Sequence, residues 1–251
     1  MGILKNPRRW LLRKSTVSLS VWWPSSVTLK MMRKYNDVQI TTEELKLITR
    51  VLRCKPGCKF LVFGLGNDSH FWNRFNQEGT TVFLEDDKGW FSKVMKKHPN
   101  LTAFLVNYGS QLSQAEALLN SPAVFDLGLP AEVKNTSWDV ILVDAPLGEG
   151  PSAPGRMKSI AAASRLVRNS GDVFVHDCDR IVERNYTDKF LGQKNLVAEI
   201  GKLRHFNMRE GCPDQFKPSL RTTAEFKHQA PSTKLASSRE IPITKLQINE
   251  C

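Results

Sequence analysis

The chain has 251 residues, of which 41% are hydrophobic, and a net charge of +11; this suits one α/β domain with extensions and enough apolar residues for a core. Residues 1–59 hold 13 Lys+Arg against 3 Asp+Glu, residues 60–204 hold 16 against 17, and residues 205–251 hold 7 against 5. The basicity belongs to the N-terminal extension, so the body has no cationic excess for a nucleic-acid partner, and none is expected.

Residues 1–40 read as a basic, poorly ordered extension, with a transit-like or membrane-surface segment as the alternative. No apolar run reaches the length of about 18 residues that a membrane-spanning helix needs. Thr41–Leu52 reads as an amphipathic helix, capped by Thr41 or Thr42, with acids in its first turn. Cys54 and Cys58 lack a second pair at ligand spacing, so zinc is not expected. They are open to a local disulfide or to two free thiols. Phe60–Phe63 has the composition of a buried strand and breaks into Gly64-Leu65-Gly66. A helical segment carrying Phe71, Trp72 and Phe75 follows, then a second apolar run, Thr81–Leu84, ending on Glu85-Asp86-Asp87.

Further along, Trp90–His98 reads as a helix, Leu101–Val106 as a strand and Leu112–Leu119 as a helix. Ser121–Val133 is a connection broken by Pro and Gly. Trp138–Val143 is a fourth strand, apolar enough after Asp139 for a central parallel position. Arg156–Arg168 is helical, Asp172–Val175 a fifth strand, Val182–Phe190 a helix, and Leu196–Phe206 supplies the last strand or two. Strands alternating with helices call for a mostly parallel sheet covered by helices on both faces. The expected domain spans 41–208, followed by a poorly ordered Ser-, Thr-, Pro- and Lys-rich tail over 209–251.

Strand, glycine turn, helix, strand and acid form the first half of a nucleotide-binding α/β unit. Glycines let the backbone turn sharply and let a ligand approach it. An acid about 20 residues on can accept ribose hydroxyls, and Glu85 lies 19 residues after Gly66. Ser69 stands where a third glycine of the dinucleotide fingerprint would be. Ligands in such sheets bind outside the carboxyl ends of the strands, where Gly64, Gly66, Glu85, Asp144, His176 and Asp177 converge. Asp144 and Asp177 each end an apolar strand, where a carboxylate is costly unless used or paired. Together they could hold a divalent metal, or one could deprotonate a substrate hydroxyl; Asp177 could equally cap the next helix. His176 is a base, a ligand or a core histidine. Arg156, at a helix start, could clamp a carboxylate or form an ordinary ion pair.

The segments FLVFGLGNDS, TVFLEDDKGW, WDVILVDAP with APGRM, and VFVHDCDR occur in order between Cys58 and Met208. Together they resemble the plant polysaccharide-biosynthesis methyltransferase family, which includes glucuronoxylan 4-O-methyltransferases, arabinogalactan glucuronic-acid methyltransferases and the irregular-xylem proteins. The resemblance implies a Rossmann-like class I S-adenosylmethionine-dependent methyltransferase fold. It implies methyl transfer to O4 of glucuronic acid side chains of a cell-wall polysaccharide in the Golgi, alongside other cell-wall biosynthesis enzymes. On that reading Gly64, Gly66, Asn67, Asp68, Glu85, Asp86 and Asp144 surround the cofactor, with Glu85 on its ribose. Asp144, Asp177 and His176 serve the reaction; charge complementarity, rather than the resemblance, makes Arg156 the candidate for the uronate carboxylate. The family's glycine turn usually continues with histidine, where this chain has Asn67. That keeps a second reading in play, a catalytically silent member that binds polysaccharide or partner enzymes. A nicotinamide oxidoreductase is disfavoured, since Tyr35, Tyr108 and Tyr186 lie outside any YxxxK context.

Overall fold

The computed structural model describes residues 26–36 and 38–209. In chain order these form α1 (Ser26–Asn36), α2 (Thr42–Arg53), β1 (Lys59–Phe63), α3 (Ser69–Phe75), β2 (Thr80–Glu85), α4 (Lys88–Lys97) and β3 (Thr102–Leu105). Next come α5 (Ala115–Leu119), α6 (Ala131–Lys134), β4 (Trp138–Val143), α7 (Met157–Leu166), β5 (Val167–Val175), α8 (Ile181–Phe190), β6 (Leu196–Ile200) and β7 (Leu203–Asn207). Short 3-10 turns at Leu112–Gln114 and Pro122–Phe125 occupy the region between β3 and α6, which is more broken than one continuous helix over Leu112–Leu119.

Seven strands pair in the order β3-β2-β1-β4-β5-β7-β6. Strands β1 to β5 run parallel, and β7 enters antiparallel between β5 and β6. This is the class I methyltransferase arrangement. The strands alternate faces, as pleating requires. Leu61, Phe63, Ile141, Val143, Val173 and Val175 point into one apolar layer under α7 and α8. Phe60, Val62, Val140, Leu142 and Phe174 point into the other, under α2, α3 and α4. Both faces are therefore covered, as parallel strands need.

Local chemistry sets the elements. Thr41 and Glu44 close a reciprocal capping box at the start of α2, which satisfies two otherwise orphaned amides. Leu45, Ile48 and Leu52 then bury one stripe of that helix. α7 ends two residues before the expected Arg168, because Val167 turns extended and its backbone joins β5 beside Trp138. Branching at Cβ favours that change, and Ser170 at φ 65° with Gly171 turns the chain back into register.

One further expectation is corrected, and one open alternative is decided. Within the basic leader, Ser26–Asn36 is a helix whose Leu29 and Met32 are buried in the layer that includes α2; residues 1–25 lie outside the described residues. Cys58 is a free, buried thiol that meets Asn76 Oδ1, so no Cys54–Cys58 bridge forms. The expected tail lies outside the described residues apart from Arg209. No described helix is long and apolar enough to cross a membrane.

Candidate active site

The parallel ladder continues one residue past the strands and lines up the rim. Gly64 N–H donates to Leu84 O, Asp144 N–H to Phe63 O, His176 N–H to Val143 O and Val106 N–H to Glu85 O. Gly64 adopts φ +126°, and a Cβ there would lie 3.2 Å from the Cβ of Ala145. The next residues are held from three sides. Leu65 N–H donates to Glu85 Oε2 at 3.1 Å, Leu65 O accepts from Trp90 Nε1, and Gly66 N–H donates to Ser69 Oγ at 2.8 Å. Ser69 thus closes by a side-chain bond the loop in which the fingerprint would place a third glycine.

Glu85 is 6% exposed, and its Oε1 also accepts the amides of Asp86 and Asp87. Its carboxylate ties β2 to the glycine turn. The half-buried acid that lines the neighbouring cleft is Asp86. That cleft encloses about 770 Å³ and is also walled by Asn107, Tyr108, Gly109, Ser110 and Gln111, a size in the range of small-molecule sites. Of the residues expected around the cofactor, only Asp86 lines this cleft; its size and its polar wall suit a nucleoside cofactor. Asn67 and Asp68 stand half-buried at the start of α3. Asp68 accepts from Trp72 Nε1, and burial together with the charge of Asp144 pushes its pKa up to about 6.

On the β4–β5 side the charges interlock. Asp144 keeps 32% of its side chain exposed, and its Oδ1 lies 3.0 Å from Nδ1 of buried His176. His176 Nε2 faces Oε2 of fully buried Glu44 at 3.7 Å. Burial alone would lower the His176 pKa, but the carboxylates of Asp144 and Glu44 beside the ring, with the charge of Asp177, raise it to about 9. The ring is therefore an imidazolium near neutrality, so it holds Asp144 in place and cannot itself take up a proton. Glu44 also accepts the amides of Thr41 and Lys202. These bonds and His176 outweigh its desolvation and hold its pKa at about 2.

Arg156 and Asp177 take different roles from those the sequence suggests. The Arg156 guanidinium is 6% exposed and donates to the carbonyls of Pro146, His176 and Asp144, while Nη2 meets Asp177 Oδ2 at 2.8 Å. With those donors spent inside the protein, it is a buried clamp between the ends of β4 and β5 and does not face a substrate carboxylate. Asp177, at φ 59°, is held between Arg156 and Arg180. It caps no helix, since the residue before α8 is Arg180. Asp144 and Asp177 do not fit a metal, because Arg156 Nη2 lies against both carboxylates. Among the described residues no group of three or more His, Cys, Asp or Glu is placed to hold one.

Glu44 and Arg180 were not singled out from the sequence. Glu44 reads there as an ordinary capping acid, and its burial against His176 depends on a contact 132 residues away in the chain. Arg180 stands in the motif VFVHDCDR with nothing in its spacing to mark it.

The strand order, the glycine turn and the half-buried carboxylate at the end of β4 define a class I methyltransferase domain. The profile described as IRX15/IRX15L/GXM matches residues 43–124 and 123–206. The chain belongs to that family, as its motifs suggested. It is 40% identical over 189 residues to glucuronoxylan 4-O-methyltransferase 1 of Arabidopsis thaliana, covering 67% of each chain. It is also 40% identical over 209 residues to arabinogalactan O-methyltransferase 2 of the same plant, covering 71% of this chain and 72% of the relative. Protein IRREGULAR XYLEM 15 of that plant is 34% identical over 200 residues, covering 69% and 62%. The chain thus spans about two thirds of the length of these relatives.

Proposed function

We propose that the protein is an S-adenosylmethionine-dependent O-methyltransferase acting on O4 of glucuronic acid side chains of a cell-wall polysaccharide, glucuronoxylan or arabinogalactan. Family membership supports the reaction class. The observation that carries the reading is Asp144: a carboxylate that keeps part of its surface open at the end of β4, beside the glycine turn, backed by a buried imidazolium and guanidinium.

When bound, S-adenosylmethionine supplies an electrophilic methyl group. The chain's own contribution is to place and orient. Gly64 and Gly66 let a ligand approach the β1 turn, and Asp86 with Tyr108 lines the cleft beyond β2 and β3. Asp144 accepts the proton of the acceptor hydroxyl, with His176 and Arg156 fixing its orientation so that the proton leaves along one direction. No step here requires a metal. Residence in the Golgi follows the resemblance alone and belongs to this proposal, tested by imaging a fluorescent fusion against a Golgi marker.

Calorimetric titration with S-adenosylmethionine tests the reading first. Micromolar binding is expected, followed by radiolabelled methyl transfer to unmethylated glucuronoxylan or arabinogalactan, which Asp144→Ala abolishes. A folded protein that binds the polysaccharide but not the cofactor would be the silent family member instead.

A further inference from the structure

Two guanidinium groups stand at the ends of β4 and β5, one buried and one partly exposed. Asp177, 4% exposed, is shared by two guanidinium groups: Arg156 Nη2 at 2.8 Å and Arg180 Nη1 at 3.0 Å. Arg156 is further used up on three carbonyls. Arg180 keeps 24% of its side chain exposed. Its Nη1, though close to Asp177, makes no aligned hydrogen bond. Its Nη2 meets Glu149 Oε1 at 2.6 Å, and that glutamate is 72% exposed on the loop after β4.

Glu183, 1% exposed, lies beneath the same loop with neither carboxyl oxygen hydrogen-bonded. Burial raises its pKa. Gly148 brings the loop backbone down over this pair: a Cβ there would lie 2.8 Å from both Arg180 Nη1 and Glu183 Oε1. A guanidinium is a two-pronged carboxylate receptor. Here its outward partner among the described residues is a carboxylate on an exposed loop, a kind of pair that contributes little and is screened by salt.

We propose that Arg180 recognises the carboxylate of the uronate acceptor, and that Glu149 occupies that position until the substrate displaces it. The inference rests on the methyltransferase reading and names the residue that selects the acidic sugar. The positions are compatible with the chemistry. In a hexuronate the carboxylate is borne on C5, next to the C4 that carries the reacting hydroxyl, so its receptor must stand near the group that takes the proton. Asp144 Oδ1 and Arg180 Nη1 are linked by successive contacts of 3.7, 2.8 and 3.0 Å through Arg156 and Asp177. Both follow β4 or β5, whereas the cleft suited to the cofactor opens beyond β2 and β3.

The test is a calorimetric titration of the full chain with a xylo-oligosaccharide bearing one unmethylated glucuronic acid, and with its carboxyl-reduced counterpart. Wild-type protein should bind the acidic form about 10–100-fold more tightly, the scale of a charge-assisted hydrogen-bond pair. Arg180→Gln should erase that preference while leaving S-adenosylmethionine affinity unchanged, and Glu149→Gln should bind the acidic form up to about fivefold more tightly. The wild-type comparison stands even if Arg180→Gln fails to fold. Equal wild-type binding of the two sugars, no detectable binding of the acidic one, a preference retained by Arg180→Gln, or no gain in Glu149→Gln would overturn the inference. Failure to bind S-adenosylmethionine would instead strike the methyltransferase reading.

Discussion

His176 and Asp144 meet at 3.0 Å between Nδ1 and Oδ1, with Glu44 behind the ring at 3.7 Å from Nε2. The exposed acid is thus backed by a buried cation, and that cation by a buried anion. Each member is costly to bury alone and stabilised by its neighbours.

Because the His176 pKa is raised from 6.5 to about 9 in the fold, its contribution to stability is full below about pH 6.5 and is lost as pH rises through about 9. Urea midpoints should fall from pH 6.5 to 8.5. Cys58 and Cys178, which burial pushes up to about 11 and about 12, begin to cost stability only near and above their ordinary value of 9.0. His176→Asn should flatten the profile in the lower window; an equally sloping variant would mean that another group is responsible.

Arg156→Gln should lower the unfolding free energy by about 3–5 kcal/mol, since it leaves buried Asp177 short of a partner and frees three carbonyls. Chemical denaturation measures this. A change within about 0.5 kcal/mol, with weakened binding of the acidic sugar, would return Arg156 to the substrate role its sequence position suggests.

Gly64→Ala forces a side chain into φ +126° and within 3.2 Å of Ala145. Strain of about 1–3 kcal/mol is expected, read as a lower melting temperature together with weaker S-adenosylmethionine binding in calorimetry. Unchanged values for both would show that the turn tolerates a Cβ.

Leu29→Ala should cost about 2–5 kcal/mol, as for other fully buried leucines, because α1 packs Leu29 and Met32 into the core layer that includes α2. Denaturation of the full-length variant decides it. A neutral result would detach α1 from the domain.

Much of the fold was legible because its signals are local. The apolar run Trp138–Val143 gives β4 with the same bounds, and Thr41 with Glu44 marks the start of α2. Where β5 begins was not legible. Val167 to Gly171 carries no continuous apolar pattern, and its strand geometry comes from pairing with Trp138 and from the ties between Ser170, Gly171 and Met208. The antiparallel entry of β7 between β5 and β6 likewise depends on a long-range pairing.

The sequence by itself determined the parallel α/β layout, the row of residues at the strand ends and, through its motifs, the family. Periodicity, glycine turns and motif order are properties of neighbouring residues, so they can be read along the chain. Only the tertiary structure decided what each charged group is free to do. It buried Arg156 and Asp177 against each other, turned Glu85 onto the amides of its own loop, set Glu44 behind His176, and left Asp144 and Arg180 facing outward. The cost of a charge depends on solvent and on partners brought from distant parts of the chain, and neither is written in local sequence.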